Sequence, residues 1–310
     1  MTPLCTTPVA VVGIGNMGLG MALRLRDAGQ AVRVHDIDPA RHALAATAGA
    51  VPAASPAEAA AGCAVLIVAV VDAAQTEAVL FGPQGAAAAL PAGATVLLCP
   101  TIGPQDVERF AARLQQVGLQ CLDAPMSGGP ARARDGSMSL MVAGPAAIWT
   151  ALQPLLRHLA SRLFHISERP GDGARTKLVN NLLAATHLAA SAEAIALAQR
   201  LGLDGAATLA VVAESSGHSW IGADRMARAL AGDFAPRAHT TLLAKDSGLA
   251  LAMAAQAGIQ PLLGTAAAAQ FQAALAAGFG GDDDARLLSL LQRQFAAADQ
   301  PPAGAGTPPV

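Results

Sequence analysis

The 310-residue chain contains no tyrosine, which excludes any mechanism that uses a phenol as its acid or base. Lysine is nearly absent too: Lys177 and Lys245 are the two it has, and the other basic residues are arginine. Arginine stays protonated at any working pH, whereas a buried lysine can lose its proton, so a position that must exchange a proton cannot be arginine. Charged residues make up 14% and the formal net charge is −2, so there is no basic footprint for nucleic acid. The four cysteines, Cys5, Cys63, Cys99 and Cys121, stand singly. They give no CxxC pair and no zinc spacing, and they fit a reducing cytoplasm. The seven histidines form no HExxH, and no metal site is expected. The opening MTPLCTTPVAVV has no basic segment and no cleavage site, so no signal peptide is expected. The apolar run 64–71 is far shorter than the ~18–20 residues of a membrane span. His187 and Glu193 interrupt the Ala-rich stretch 182–198, which reads as a packed helix. The expectation is a cytoplasmic protein with no membrane partner.

With 53% hydrophobic residues the chain can bury a large core, and its length suits two domains. Short β-branched runs at 9–12, 31–35, 65–70, 95–98 and 120–123 alternate with stretches of helical spacing. That pattern predicts βαβ units and an α/β, doubly wound parallel sheet of the Rossmann kind. From Gly171 onward no strand is legible. Helices are predicted over 175–200, 204–214, 222–230, 240–257, 262–277 and 282–298, punctuated by Gly and Pro. The expected organisation is a Rossmann domain over 1–170, an all-α domain over 171–298 and a disordered tail over 299–310.

Four segments carry chemistry. Gly13-Ile14-Gly15-Asn16-Met17-Gly18 follows the first strand and opens a helix. Gly13 allows the tight turn, Gly15 leaves room for a pyrophosphate, and Gly18 lets helix and strand pack closely. Asp36 closes the second strand, where an acid binds the adenosine ribose and repels a 2′-phosphate. NAD is therefore the expected cofactor and NADP the disfavoured alternative, with Arg33 and Arg41 keeping it open. A solvated turn acid is the other reading of Asp36. In the second segment, Asp123-Ala-Pro-Met-Ser127-Gly128-Gly129, a hydroxyl and unobstructed backbone N–H groups can clamp a carboxylate, though an ordinary loop reads the same way. In the third, Lys177 and Asn181 are four apart and share a helix face. An amine and an amide there suit an alcohol/ketone centre. The fourth is Lys245-Asp246-Ser247-Gly248-Leu249-Ala250, whose lysine can reach a cofactor or form a surface charge pair. His218, Ser219 and Trp220 are candidate substrate walls. The alternatives are a loop residue for His218 and a core anchor for Trp220. The acidic run 282–284 reads as a capped, solvated helix start.

In this order the four motifs resemble the β-hydroxyacid dehydrogenases, the group that includes 3-hydroxyisobutyrate dehydrogenase and tartronate semialdehyde reductase. The resemblance runs from Val9 to about Ala298. Residues 72–83, Gly217-His218-Ser219-Trp220 and Gly280-Gly281-Asp282-Asp283-Asp284 are most similar to the L-threonate dehydrogenase subgroup. Ser247 and Pro100-Thr101 depart from the common pattern without removing a reacting group. The resemblance implies that Gly13–Gly18 bind the cofactor and that Val70, Val71, Gln75, Thr101 and Lys245 line it. It implies that Ser127, Gly128 and Gly129 bind substrate and that Lys177, with Asn180 and Asn181, is catalytic. The expected reaction is oxidation of a small hydroxy or sugar acid, Lys177 taking the hydroxyl proton and desolvation disfavouring its cation. Sister activities on 3-hydroxyisobutyrate or tartronate semialdehyde use the same machinery. A dinucleotide-sensing module without turnover is the alternative of another class. Imine reductases share the architecture but lack this lysine. A homodimer or homotetramer is the family-level expectation.

Overall fold

A computed structural model describes residues 7–297 of the chain. Cys5 and the predicted tail over 299–310 lie outside the described residues. Tertiary contacts divide the chain into two units, 1–179 and 180–310.

In the first unit, six parallel strands form one side of a sheet: β1 (Val9–Val12), β2 (Val32–His35), β3 (Val51–Pro52), β4 (Val65–Val68), β5 (Thr95–Leu98) and β6 (Gln120–Asp123). Their order is β3-β2-β1-β4-β5-β6, the order of a dinucleotide-binding Rossmann sheet. The crossover helices are α1 (Asn16–Asp27), α2 (Pro39–Thr47), α3 (Pro56–Ala60), α4 (Ala73–Phe81) and α5 (Pro104–Gln116). Because helices cover both faces, the central strands are apolar throughout. Val9, Val11, Ile67 and Leu97 face one core with Met21 and Leu25. Ala10, Val12, Leu66, Val68, Val96 and Leu98 face the other with Phe110.

Four strands are additions to the five read from sequence. The short β3 extends the sheet beyond β2. At the other end come β7 (Met126–Ser127), α6 (Gly129–Asp135), β8 (Met138–Ala143), α7 (Ala146–Leu159) and β9 (Ala160–Ser167). β8 runs antiparallel to β6 and β7, and β9 pairs with β8 in parallel. β9 is mostly exposed and carries Ser, Arg and His, so it lacks the apolar signal that marks a central strand. β4 stops at Val68, where the predicted strand ran to Val70; the chain there turns toward Gly13.

Helix α8 (Asp172–Arg200) begins in the first unit and continues in the second. By length and composition alone it could cross a membrane; 39% of its apolar window is buried within the protein. The second unit adds α9 (Gly205–Ala213), α10 (Trp220–Leu230), α11 (Thr240–Gln256), α12 (Leu262–Ala276), a 3-10 turn (Asp284–Arg286) and α13 (Leu287–Ala297). No strand is assigned in it among the described residues, apart from an isolated bridge between His239 and Asp283. Phe271, Leu188, Ile195, Met226 and Leu287 fill its core.

The acidic run differs from its sequence reading. Asp283 and Asp284 are fully buried, not solvated. Asp283 accepts the backbone N–H groups of Arg237 and Ala285 and pairs with Arg228 at 2.9 Å. Asp284 pairs with Arg225 at 2.5 Å. Burial still pushes the Asp284 carboxyl up to about 6, against the pull of Arg225. The run ties α10 and the segment before α11 to the 3-10 turn. Only Asp282, paired with Arg286, behaves as the exposed acid of a helix start.

Candidate active site

The glycine loop joins β1 to α1. A Cβ on Gly18 would lie 1.9 Å from the Gly13 carbonyl oxygen, so helix and turn meet only because residue 18 has no side chain. At Gly15 a Cβ would meet nothing within 4 Å, so the backbone there faces open space. No side chain caps the N-terminus of α1, which leaves its first N–H groups to an anion. Ile14 is buried in the core, and what it offers is its backbone N–H, which donates to Asp36 Oδ2 at 2.7 Å. Asp36 Oδ1 accepts from Asp38 N–H, and its own N–H donates to His42 Nε2. The glycine turn and the acid at the end of β2 are thus tied together. Asn16 accepts from Arg41 at 3.3 Å, and Met17 packs on the core.

Val70 follows β4 and stands against Gly13. Gln75 on α4 turns back, its Oε1 accepting from Val71 N–H at 3.0 Å, while Asp72 caps the helix. Val70, Val71 and Gln75 therefore gather beside the glycine loop. Thr101 follows β5, the next strand of the sheet, and is half-buried. An uncapped helix N-terminus, open backbone at Gly15 and an acid at the end of β2 fit a dinucleotide.

Ser127 ends β7, and Gly128 and Gly129 follow with φ of +137° and +77°. The turn leaves backbone N–H groups without side chains over them, where they can face an anion. In the same unit Lys177 is buried, 8% exposed, on the second turn of α8. Asp123 at the end of β6 accepts N–H groups from the start of that helix, Gly171 and Ala174 both at 2.9 Å. Its carboxyl is pushed up to about 7: burial raises it and these backbone donors oppose the rise.

In the second unit Asn181 Nδ2 donates to the buried Asp246 at 2.6 Å, and Asn180 Nδ2 donates to Asn181 Oδ1 at 3.0 Å. Lys245 pairs with the other Asp246 oxygen at 2.8 Å. The third and fourth motifs are thus joined through Asp246. Sequence reasoning passes over both Asp123 and Asp246, although each lies inside one of the four motifs. Ser219 is the N-cap of α10, its Oγ accepting from Gly222 N–H at 3.1 Å. Trp220 is 53% exposed, so it is not a core anchor of its unit. His218 and Ser219 line a hollow of about 360 Å³ with His187, Ser191, Ile195 and Leu209. Among the described residues no three His, Cys, Asp or Glu side chains are grouped to hold a metal.

Fold and site together define an NAD-binding dehydrogenase. Residues 8–167 match the NAD-binding domain of 6-phosphogluconate dehydrogenase, and residues 171–291 match the NAD-binding family of NADP-dependent 3-hydroxyisobutyrate dehydrogenase. The chain is 40% identical to L-threonate dehydrogenase of Cupriavidus necator, over 91% of this chain and 95% of that one. It is 36% identical to L-threonate dehydrogenase of Haemophilus influenzae, over 91% and 94%. A crystal structure of 3-hydroxyisobutyrate dehydrogenase from Salmonella typhimurium superposes with a TM-score of 0.86 at 37% identity, covering 91% of this chain and 99% of that one. The chain belongs to the β-hydroxyacid dehydrogenase family, dehydrogenases of small hydroxy acids with NAD-binding domains.

Proposed function

We propose that the chain oxidises L-threonate or a closely similar sugar acid at its hydroxyl-bearing carbon, with Lys177 as the base. The observation that carries the reading is the burial of Lys177, one of two lysines in the chain, one helical turn before the equally buried Asn181. A solvated helix lysine needs neither burial nor an amide at that spacing. The substrate follows from the names of the relatives at 36–40% identity.

Gly13 to Gly18 hold the pyrophosphate and Asp36 the adenosine ribose, with Val70, Val71, Gln75, Thr101 and Lys245 completing the cofactor contacts. Bound NAD supplies the acceptor for the hydride. Ser127, Gly128 and Gly129 hold the carboxylate through the hydroxyl and the turn N–H groups. Asn181, its amide fixed by Asp246 and Asn180, orients the hydroxyl, and Asn180 adds a polar edge. Lys177 Nζ takes the hydroxyl proton as hydride leaves the same carbon, which becomes the carbonyl. Acid–base help of this kind contributes about 10²–10⁴ in rate. His218, Ser219 and Trp220 wall the substrate.

The enzyme works as a homodimer or homotetramer; support comes from the exposed Val179, Leu183 and Leu197 along α8 and Leu201 just after it. A cytoplasmic setting fits Cys63, Cys99 and Cys121, which are free and buried. The test is NADH formation by purified protein over C3–C6 hydroxy and sugar acids, L-threonate and 3-hydroxyisobutyrate included, with NADP in parallel. The reading expects L-threonate to give the highest kcat/KM. A higher value for 3-hydroxyisobutyrate refutes the substrate, and no turnover across the panel refutes the enzyme.

A further inference from the structure

Asp123 ends β6 with no exposed surface. Burying a carboxylate is costly unless something nearby demands it. Its Oδ2 takes the N–H groups of Gly171 and Ala174, both at 2.9 Å, and the Gly173 N–H bonds to the same carboxylate. These donors are the otherwise unpaired amides at the start of α8. The helix's own first acid does not serve them. Asp172 binds Arg169 at 2.8 Å and Arg175 at 3.0 Å and accepts from Ser167 Oγ at 2.7 Å. The helix is therefore capped from the sheet, by a residue about 50 positions earlier in the chain.

Gly173 makes the contact possible. A Cβ there would lie 2.9 Å from Asp123 Oδ2 and 2.6 Å from the Met141 carbonyl oxygen, both in the sheet. Lys177 is four residues on, one helical turn, which is a rise of about 6 Å. Whatever fixes the height and rotation of the first turn also fixes the root of the Lys177 side chain.

We infer that Asp123 is a positioning residue for the reaction: by capping α8 from the end of β6 it sets where Lys177 Nζ stands. The inference rests on the reading of Lys177 as the base. Asparagine would offer the same amides a carbonyl oxygen at a lower desolvation cost, so it separates the cap from the charge. When ionised, the carboxylate also meets the positive end of the helix dipole. The groups that face it are Asp172 on α8, Cys121 on β6 and Cys99 after β5.

The test is steady-state kinetics on the full chain with the hydroxy acid that the substrate panel selects, beside NADH affinity by fluorescence titration and melting temperature. The variants are Asp123→Ala, Asp123→Asn, Gly173→Ala, Asp123→Ala/Gly173→Ala and Lys177→Ala. Small misplacements of a reacting group cost on the order of 10²-fold in rate. Asp123→Ala is expected to lower kcat by about that factor with KM and NADH affinity near the parent values, and to move the pH limb of kcat that reports the base. Asp123→Asn keeps a carbonyl oxygen for the amides and recovers most of the rate. Gly173→Ala falls as Asp123→Ala does, and the double variant falls no further. A folded Asp123→Ala protein at full kcat overturns the inference. So do losses of kcat, NADH affinity and melting temperature in parallel in Asp123→Ala and Asp123→Asn. If Asp123→Ala does not fold, Gly173→Ala and Asp123→Asn decide by the same criteria. Lys177→Ala separates the two levels. If it keeps its rate, the base is misassigned and this inference falls with it. If it is inactive while Asp123→Ala is fully active, only this inference falls.

Discussion

Lysine scarcity singles out Lys177 from the sequence alone, because in an arginine-biased chain a retained lysine at amide spacing is a candidate for proton chemistry, and the structure buries it. Asp36 is singled out in the same way, by its distance from the glycine loop. In the structure it accepts the N–H of Ile14, inside that loop. On the proposed ribose role, replacing it by alanine would remove a charge that repels a 2′-phosphate. The ratio of kcat/KM for NAD over NADP should drop at least roughly tenfold, equivalent to about 1.4 kcal/mol; an unchanged ratio would deny Asp36 the ribose role. Asp123 is not legible as a cap, because its partners are 48 and 51 residues away. Its titration gives a second prediction. The folded carboxyl titrates at about 7, above the ~4 of an unfolded aspartate. Between those values the native state binds the extra proton, so this group's contribution to stability falls as pH rises. The stability difference between the parent and Asp123→Asn, from urea unfolding, should favour the parent most below about pH 4 and shrink toward pH 7. A difference that grows with pH would reverse the assignment.

Among the elements, α8 shows how far periodicity reaches. Its body is readable from 175 onward, yet it starts at Asp172, because the added turn is held by Asp123 and not by a local cap signal. The strands β8 and β9 escape the sequence pattern for another reason: β8 runs antiparallel to β6 and β7, outside the βα alternation, and β9 is mostly exposed with no apolar alternation. The acidic run before α13 misleads because its counter-charges, Arg225 and Arg228, are on α10, more than 50 residues earlier. For α10 the prediction concerns Ser219, whose hydroxyl caps the helix. Ser219→Ala should lose about 1 kcal/mol of stability, and Ser219→Asp should restore it. Chemical denaturation measures both, and a stability unchanged in Ser219→Ala would show the cap to be idle.

For the molecule, the parallel sheet and the helical second unit are both legible, since alternating βα signals give way abruptly to helices alone. Assembly is not legible, because one sequence does not show what covers an exposed apolar face. Sedimentation equilibrium at micromolar concentration is expected to give a dimer or tetramer mass. Replacing Leu183 and Leu197 by glutamate should shift it toward monomer. A parent protein that runs as a monomer throughout would contradict the assembly.

The central claim is that one buried amine takes the proton of the substrate alcohol. The most direct measurement is single-turnover NADH formation by Lys177→Ala beside NADH affinity of the same variant. The account predicts a rate lowered by about 10²–10⁴ with affinity unchanged. A variant that binds NADH and turns over at the parent rate would contradict it.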